Sequence, residues 1–397
     1  GWGATGLVGS LGLKFTNFAI QNLFNPKSYR IVPQGEGQTF SINARTNGRY
    51  YTSASISFLE PWLGGKRPNS FSASIFYAAQ SGYSDRYYQA YEDLYNNYYY
   101  NYNYYGNSDY LQQLQESEYD PEKYLRTFGA SIGYGKRLSW PDDYFSFYGE
   151  LSYQLYMMKD WPYMIITDGT SHNFALNLQL SRSSIDNPIY TRRGSQFTLG
   201  LKITPPYSLI KGTTDAQYAQ MTTSEKYNLL EYHKWKFNAK FFVPLTYDNK
   251  LVLMARADYG FLGYYNKDKR SPFGKFYVGG DGMSGYTTAG TETVGLRGYE
   301  AGSLTPYSGE GYYGYNGNLY TKLTVELRYP LLLNQSTNIW ALAFVEAGNA
   351  WAEFKKIYPD ATYEVKKDEQ GRCYFGDENM DIYNAITRLG FNDKERS

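Results

Sequence analysis

The chain has 397 residues, a formal net charge of +1, 42 % hydrophobic and 19 % aromatic residues, 46 Tyr, 39 Gly and one cysteine, Cys373. That charge balance argues against a polyanion partner such as nucleic acid, one cysteine excludes a disulfide framework or thiolate cage, and no run approaches the roughly 18 uncharged apolar residues of a membrane helix. What remains is a β-barrel of the membrane type, a large soluble β protein, or a sugar-binding surface rich in Tyr.

Gly1-Trp2 is neither an initiator nor a signal peptide, so a preceding segment is expected. Period-2 alternation predicts strands at 7–16, 38–47 and 50–59. Glu60-Pro61-Trp62-Leu63-Gly64-Gly65-Lys66-Arg67-Pro68 reads as a turn before a strand at 70–80, with Trp62 in an interfacial aromatic belt. Residues 81–125 form a Tyr- and Asn-rich loop, including Tyr98-Tyr99-Tyr100-Asn101-Tyr102. Such a loop offers contact area to a glycan or partner, but low-complexity external loop is the preferred reading.

Strands at 126–137 and 144–157 follow, then a loop at 158–172. His172, near Asp168, is the only conceivable rim histidine for a hydrolase, and solvent-exposed loop histidine is the favoured reading. Neither His172 nor His233 has metal-ligand spacing, and no cofactor is implied.

The clearest alternation lies further on. Phe174, Leu176, Leu178 and Leu180 oppose Asn177, Gln179 and Ser181 in the strand at 173–181. Phe197, Leu199, Leu201 and Ile203 oppose Gln196, Thr198, Lys202 and Thr204 at 195–204. At 233–243, Trp235, Phe237, Ala239, Phe241 and Val243 oppose Lys234, Lys236, Asn238 and Lys240. A strand at 250–261 precedes a long loop, 263–317. Within it, Gly280-Asp281-Gly282-Met283-Ser284-Gly285 matches a dinucleotide fingerprint in spelling only, since no βαβ unit surrounds it; it reads as a flexible Gly-rich stretch. Leu319, Leu323, Val325, Leu327 and Tyr329 then oppose Lys322, Thr324, Glu326 and Arg328 at 319–329. The last strand, 338–351, is irregular, because Trp340, Leu342 and Phe344 share parity with Glu346.

Links at 60–69, 138–143, 184–194, 244–249 and 331–337 alternate with longer ones at 81–125, 158–172, 205–232, 263–317 and from 352 onward. Short periplasmic turns and long extracellular loops produce this rhythm in outer-membrane barrels. The fold expectation is therefore all-β, a single antiparallel transmembrane β-barrel domain over 1–397, incomplete at both ends.

Phe276-Tyr277-Val278-Gly279-Gly280, leading to Leu296-Arg297-Gly298-Tyr299-Glu300, resembles the sixth extracellular loop of the BamA-type family of outer-membrane barrel-assembly proteins. The Glu60–Pro68 turn resembles that family's turn too and sets the register. The resemblance implies a sixteen-stranded barrel of which this chain covers roughly strands two to thirteen, with periplasmic domains and closing strands lying outside it. It implies that the tip folds into the lumen, where Leu296, Arg297, Gly298 and Tyr299 form the anchor. Arg297 matches a carboxylate fork, and its expected acidic partners are Glu326 and, less directly, Glu346. A dry cluster is worth about 3–5 kcal/mol on losing one member, a wet one about 0–1 kcal/mol.

The function implied is insertion of nascent outer-membrane β-barrel proteins at a lateral seam in the cell outer membrane, non-enzymatic, with accessory assembly lipoproteins and lipid or lipopolysaccharide as further partners. Alternatives are a secretion pore of the two-partner type, a TamA-like factor, or a passive porin or nutrient transporter.

Overall fold

The computed structural model describes residues 2–3, 6–48, 50–65, 69–83, 119–161, 164–280, 291–307, 317–334, 337–352, 365–367 and 373–375. Thirteen strands form one antiparallel sheet in which each pairs with its sequence neighbour, apart from one step across the long loop. They are β1 (Trp2–Gly3), β2 (Gly6–Phe18), β3 (Gln38–Asn47), β4 (Tyr51–Glu60), β5 (Asn69–Tyr83), β6 (Tyr119–Arg137) and β7 (Phe145–Lys159). The series continues with β8 (Gly169–Ser183), β9 (Gly194–Ile203), β10 (His233–Pro244), β11 (Val252–Gly263), β14 (Leu319–Leu333) and β15 (Asn338–Trp351). Short β12 (Phe276–Val278) and β13 (Glu292–Val294) pair in parallel within the loop between β11 and β14. A separate hairpin joins β16 (Val365–Lys367) to β17 (Cys373–Phe375). Three short helices, α1 (Tyr207–Lys211), α2 (Asp215–Gln220) and α3 (Thr223–Lys226), lie between β9 and β10.

No helix among the described residues is long and apolar enough to cross a membrane; the strands are the spanning elements. Register explains why. Leu13, Ile42, Ile56 and Ile75 are successive cross-strand neighbours on one face, as are Trp235, Phe261, Leu319 and Trp351. All eight are exposed. An apolar row of this length is an aggregation liability in water and the required surface in hydrocarbon, where only a sheet pairing all its backbone groups is tolerated.

The opposite face is polar. Ser41, Ser57, Ser74, Ser131 and Ser152 form one inward row, and Lys240, Arg256, Thr324 and Glu346 form another. The sheet is open among the described residues, since β1 and β15 share no pairing.

One feature departs from expectation. The lumen is not polar throughout. At the loop end, inward Leu125, Tyr156, Met158 and Tyr320 pack with loop residues Trp161, Ile166, Leu230 and Phe276 into a buried apolar cap. The polar lumen face thus holds only away from the loops.

Candidate functional site: the lumen anchor

Gly279 and Gly280 prepare the tip. Gly279 has φ +126°, and a Cβ there would lie 2.2 Å from the Glu300 carbonyl oxygen, so only glycine permits this approach. Gly279 N–H donates to the Val294 carbonyl (3.0 Å) and Gly280 N–H to that of Tyr299 (2.9 Å). The Gly-Gly pair therefore straps both sides of the tip.

Leu296 is fully buried, whereas Gly298 turns the chain at φ +91° and leaves Tyr299 half exposed.

Arg297 meets Glu346. Its Nε and Nη2 donate to Oε2 and Oε1 at 3.2 and 2.9 Å, and its backbone N–H donates to Oε2 at 3.2 Å. The guanidinium carbon lies 3.4 Å from the Phe344 ring centroid, a cation–π arrangement. Lys322 Nζ approaches Glu346 Oε1 to 3.1 Å and donates to the Gly295 carbonyl at 2.6 Å; the Thr324 hydroxyl adds a bond at 3.3 Å. The Glu346 side chain is 4 % exposed and that of Arg297 43 %. A buried carboxylate facing two cations and two further donors is fully satisfied.

The expectation for Glu326 needs correction. Its carboxylate binds Arg328, two residues along the same inward face, with Nη2 at 2.6 Å and Nε at 2.8 Å. Strand geometry explains this, because residues i and i+2 share a face, which puts Arg328 within reach of Glu326 along its own strand. Glu346 sits one strand further round, where the backbone N–H of Arg297 also points. Its awkward parity has a reason: Phe344 lies on the inward face beside Glu346, and its ring supports the guanidinium.

A second attachment was not foreseen. Glu292 on β13 pairs with Lys234 at 2.8 Å and Lys236 at 2.5 Å on β10, and Lys234 also donates to the Gly274 carbonyl at 2.8 Å. Burial alone would push the Glu292 carboxyl up, but the two lysines hold it below its ordinary range. The available signal was an inward Lys234-x-Lys236 pair with no acid on its own strand. Above it, buried Lys269 and Glu231 approach to 3.6 Å, and Glu231 accepts from the Ser208 N–H at 2.7 Å, tying the long loop to α1.

His172 belongs to β8 rather than a loop, and bonds the Tyr153 hydroxyl at 2.9 Å. Neither a serine nor Asp168 is its partner. Residues 281–285 of the Gly-rich stretch and most of the Tyr-rich loop, 84–118, lie outside the described residues.

Residues 34–368 match the Omp85 superfamily domain. Among solved structures, the chain resembles BamA from Haemophilus ducreyi lacking POTRA domains 1–3, with TM-score 0.57 and 19 % identity, over 90 % of this chain and 58 % of that one. CdiB from Escherichia coli matches with TM-score 0.46 and 10 % identity, over 86 % of this chain and 48 % of that one. The chain thus spans less than two thirds of either structure, and at these identities the likeness concerns fold. No protein of curated function matches by sequence.

Proposed function

The chain belongs to the Omp85 superfamily, and from that membership we propose that it forms the barrel of an outer-membrane insertase, which folds and inserts nascent β-barrel proteins. The physics is strand addition. An incoming strand entering lipid carries unpaired N–H and C=O groups, each costing several kcal/mol unless paired; an exposed sheet edge offers those partners. The work is non-covalent and uses neither catalytic residue nor cofactor. Nascent barrels arriving from the periplasm are the proposed clients, with assembly lipoproteins and outer-membrane lipid as accessory partners.

The observation that carries this reading is the loop tip held by Glu346 beneath an apolar cap. A loop packed in this way braces one sector of the wall for work at its edge, and a passive solute pore has no need of such bracing. Depletion of the protein should lower many unrelated outer-membrane barrels together. Loss of one nutrient's uptake, or of one secreted protein, with all other barrels at normal level would overturn the proposal.

A further inference from the structure

The lipid-facing side of the wall carries an indentation. Its floor is formed by the small outward residues Ala73 and Ala130, and its walls by Ile75, Ile132, Tyr153 and Phe174. Register places these together, because Ala73 lies opposite Ile132 and Ala130 opposite both Ile75 and Tyr153. Pro205 and Pro206 close the groove at one margin. Its volume is about 850 Å3, within the roughly 300–1,000 Å3 of small-molecule pockets. The Tyr153 hydroxyl would be a costly polar group in hydrocarbon, yet His172 Nδ1 bonds it at 2.9 Å, so the groove presents an apolar surface.

Beyond the groove, β6 carries exposed Phe128 and then exposed Arg126 on the same face. The Arg126 guanidinium stacks on the Tyr124 ring at 4.0 Å and has no carboxylate partner among the described residues. From Ile132 to Arg126 is six residues, about 20 Å at roughly 3.3 Å each. At a tilt of about 40° that is ~15 Å along the membrane normal, half of the roughly 30 Å hydrocarbon core. With Ile132 at mid-membrane, Arg126 reaches headgroup level on the long-loop side. The order along the strand is thus hydrocarbon groove, aromatic, cation.

From this geometry we infer that the face is a specific site for one lipid bearing an anionic phosphate, with an acyl chain in the groove over Ala73 and Ala130 and the phosphate at Arg126. A bulk lipid needs no indentation; a retained one needs both a cleft for its chain and a charge for its phosphate. The site lies outside the lumen anchor and does not depend on the assembly function.

The test is native mass spectrometry of the detergent-purified full-length protein with added dipalmitoyl phosphatidylglycerol or phosphatidylcholine. One phosphatidylglycerol should be retained. Ala130→Phe, which fills the groove, should weaken retention about tenfold, and Arg126→Ala should remove a headgroup preference of about fivefold while leaving chain binding. Each variant is first checked for heat-modifiable migration on a gel; if Ala130→Phe fails to fold, Ala73→Leu fills the same floor. A ladder of adducts identical in wild type and the filled variant, or no headgroup preference in wild type, overturns the site.

Discussion

Arg297 and Glu346 concentrate much of the anchoring chemistry in one contact, and the two ends of it should respond differently to mutation. Removing the guanidinium by Arg297→Ala leaves Glu346 with Lys322 and Thr324, so the loss should be about 1–3 kcal/mol. Glu346→Ala leaves two cations facing each other in a crowded site, and should cost about 3–5 kcal/mol. Thermal or urea unfolding of the purified barrel reads both. Glu326→Gln should disturb Arg328 and β14 but leave the tip in place, which a spin label at exposed Tyr299 would report. The arginine and its turn glycine were expected from the resemblance of Leu296-Arg297-Gly298-Tyr299 to a family loop, a motif contiguous in the chain. Their partner was harder to read, because the choice between Glu326 and Glu346 depends on which acid is already neutralised two residues away, a matter of strand parity rather than motif.

At the level of elements, the long loop is fixed twice, once through β13 and once at its tip. The Glu292 carboxyl is held below its ordinary value by Lys234 and Lys236. A depressed acid contributes its stabilisation above the unfolded value of about 4.5 and loses it as pH falls through the folded value. Acidification below about 4.5 should therefore loosen β13 in wild type, seen as increased mobility of the same label. Glu292→Gln should already be loosened at neutral pH and change less on acidification. Gly279→Ala should displace the strap, since its Cβ would meet the Glu300 carbonyl; protease nicking within 263–317 is the measurement. This second attachment was harder to foresee: an inward Lys234-x-Lys236 pair without an acid on its strand hints at a partner, but that partner lies in a loop 56 residues away in the chain.

Across the whole molecule, the alternation of side chains was legible over most of the twelve long strands, and least over 338–351, because hydrocarbon on one side imposes it repeatedly. Val325→Lys, placed on the outward face, should cost about 2–4 kcal/mol if its depth is the midplane, measured by reversible unfolding in lipid vesicles. The apolar cap was not legible, since its members alternate with polar neighbours on short stretches and find each other only through loops. That cap draws on β6, β7, β11, β14 and β15, and the long loop's ion pairs reach β10 and β15 while Lys322 of β14 bonds the Gly295 carbonyl; among the described residues none of these ion pairs reaches β2 to β5. The cylinder wall is accordingly of unequal stiffness, with a strutted sector and a compliant one. Backbone amides of β2–β5 should exchange with deuterium sooner than those of β10–β15, and when the wall deforms to admit another chain, the bending should fall on those four strands.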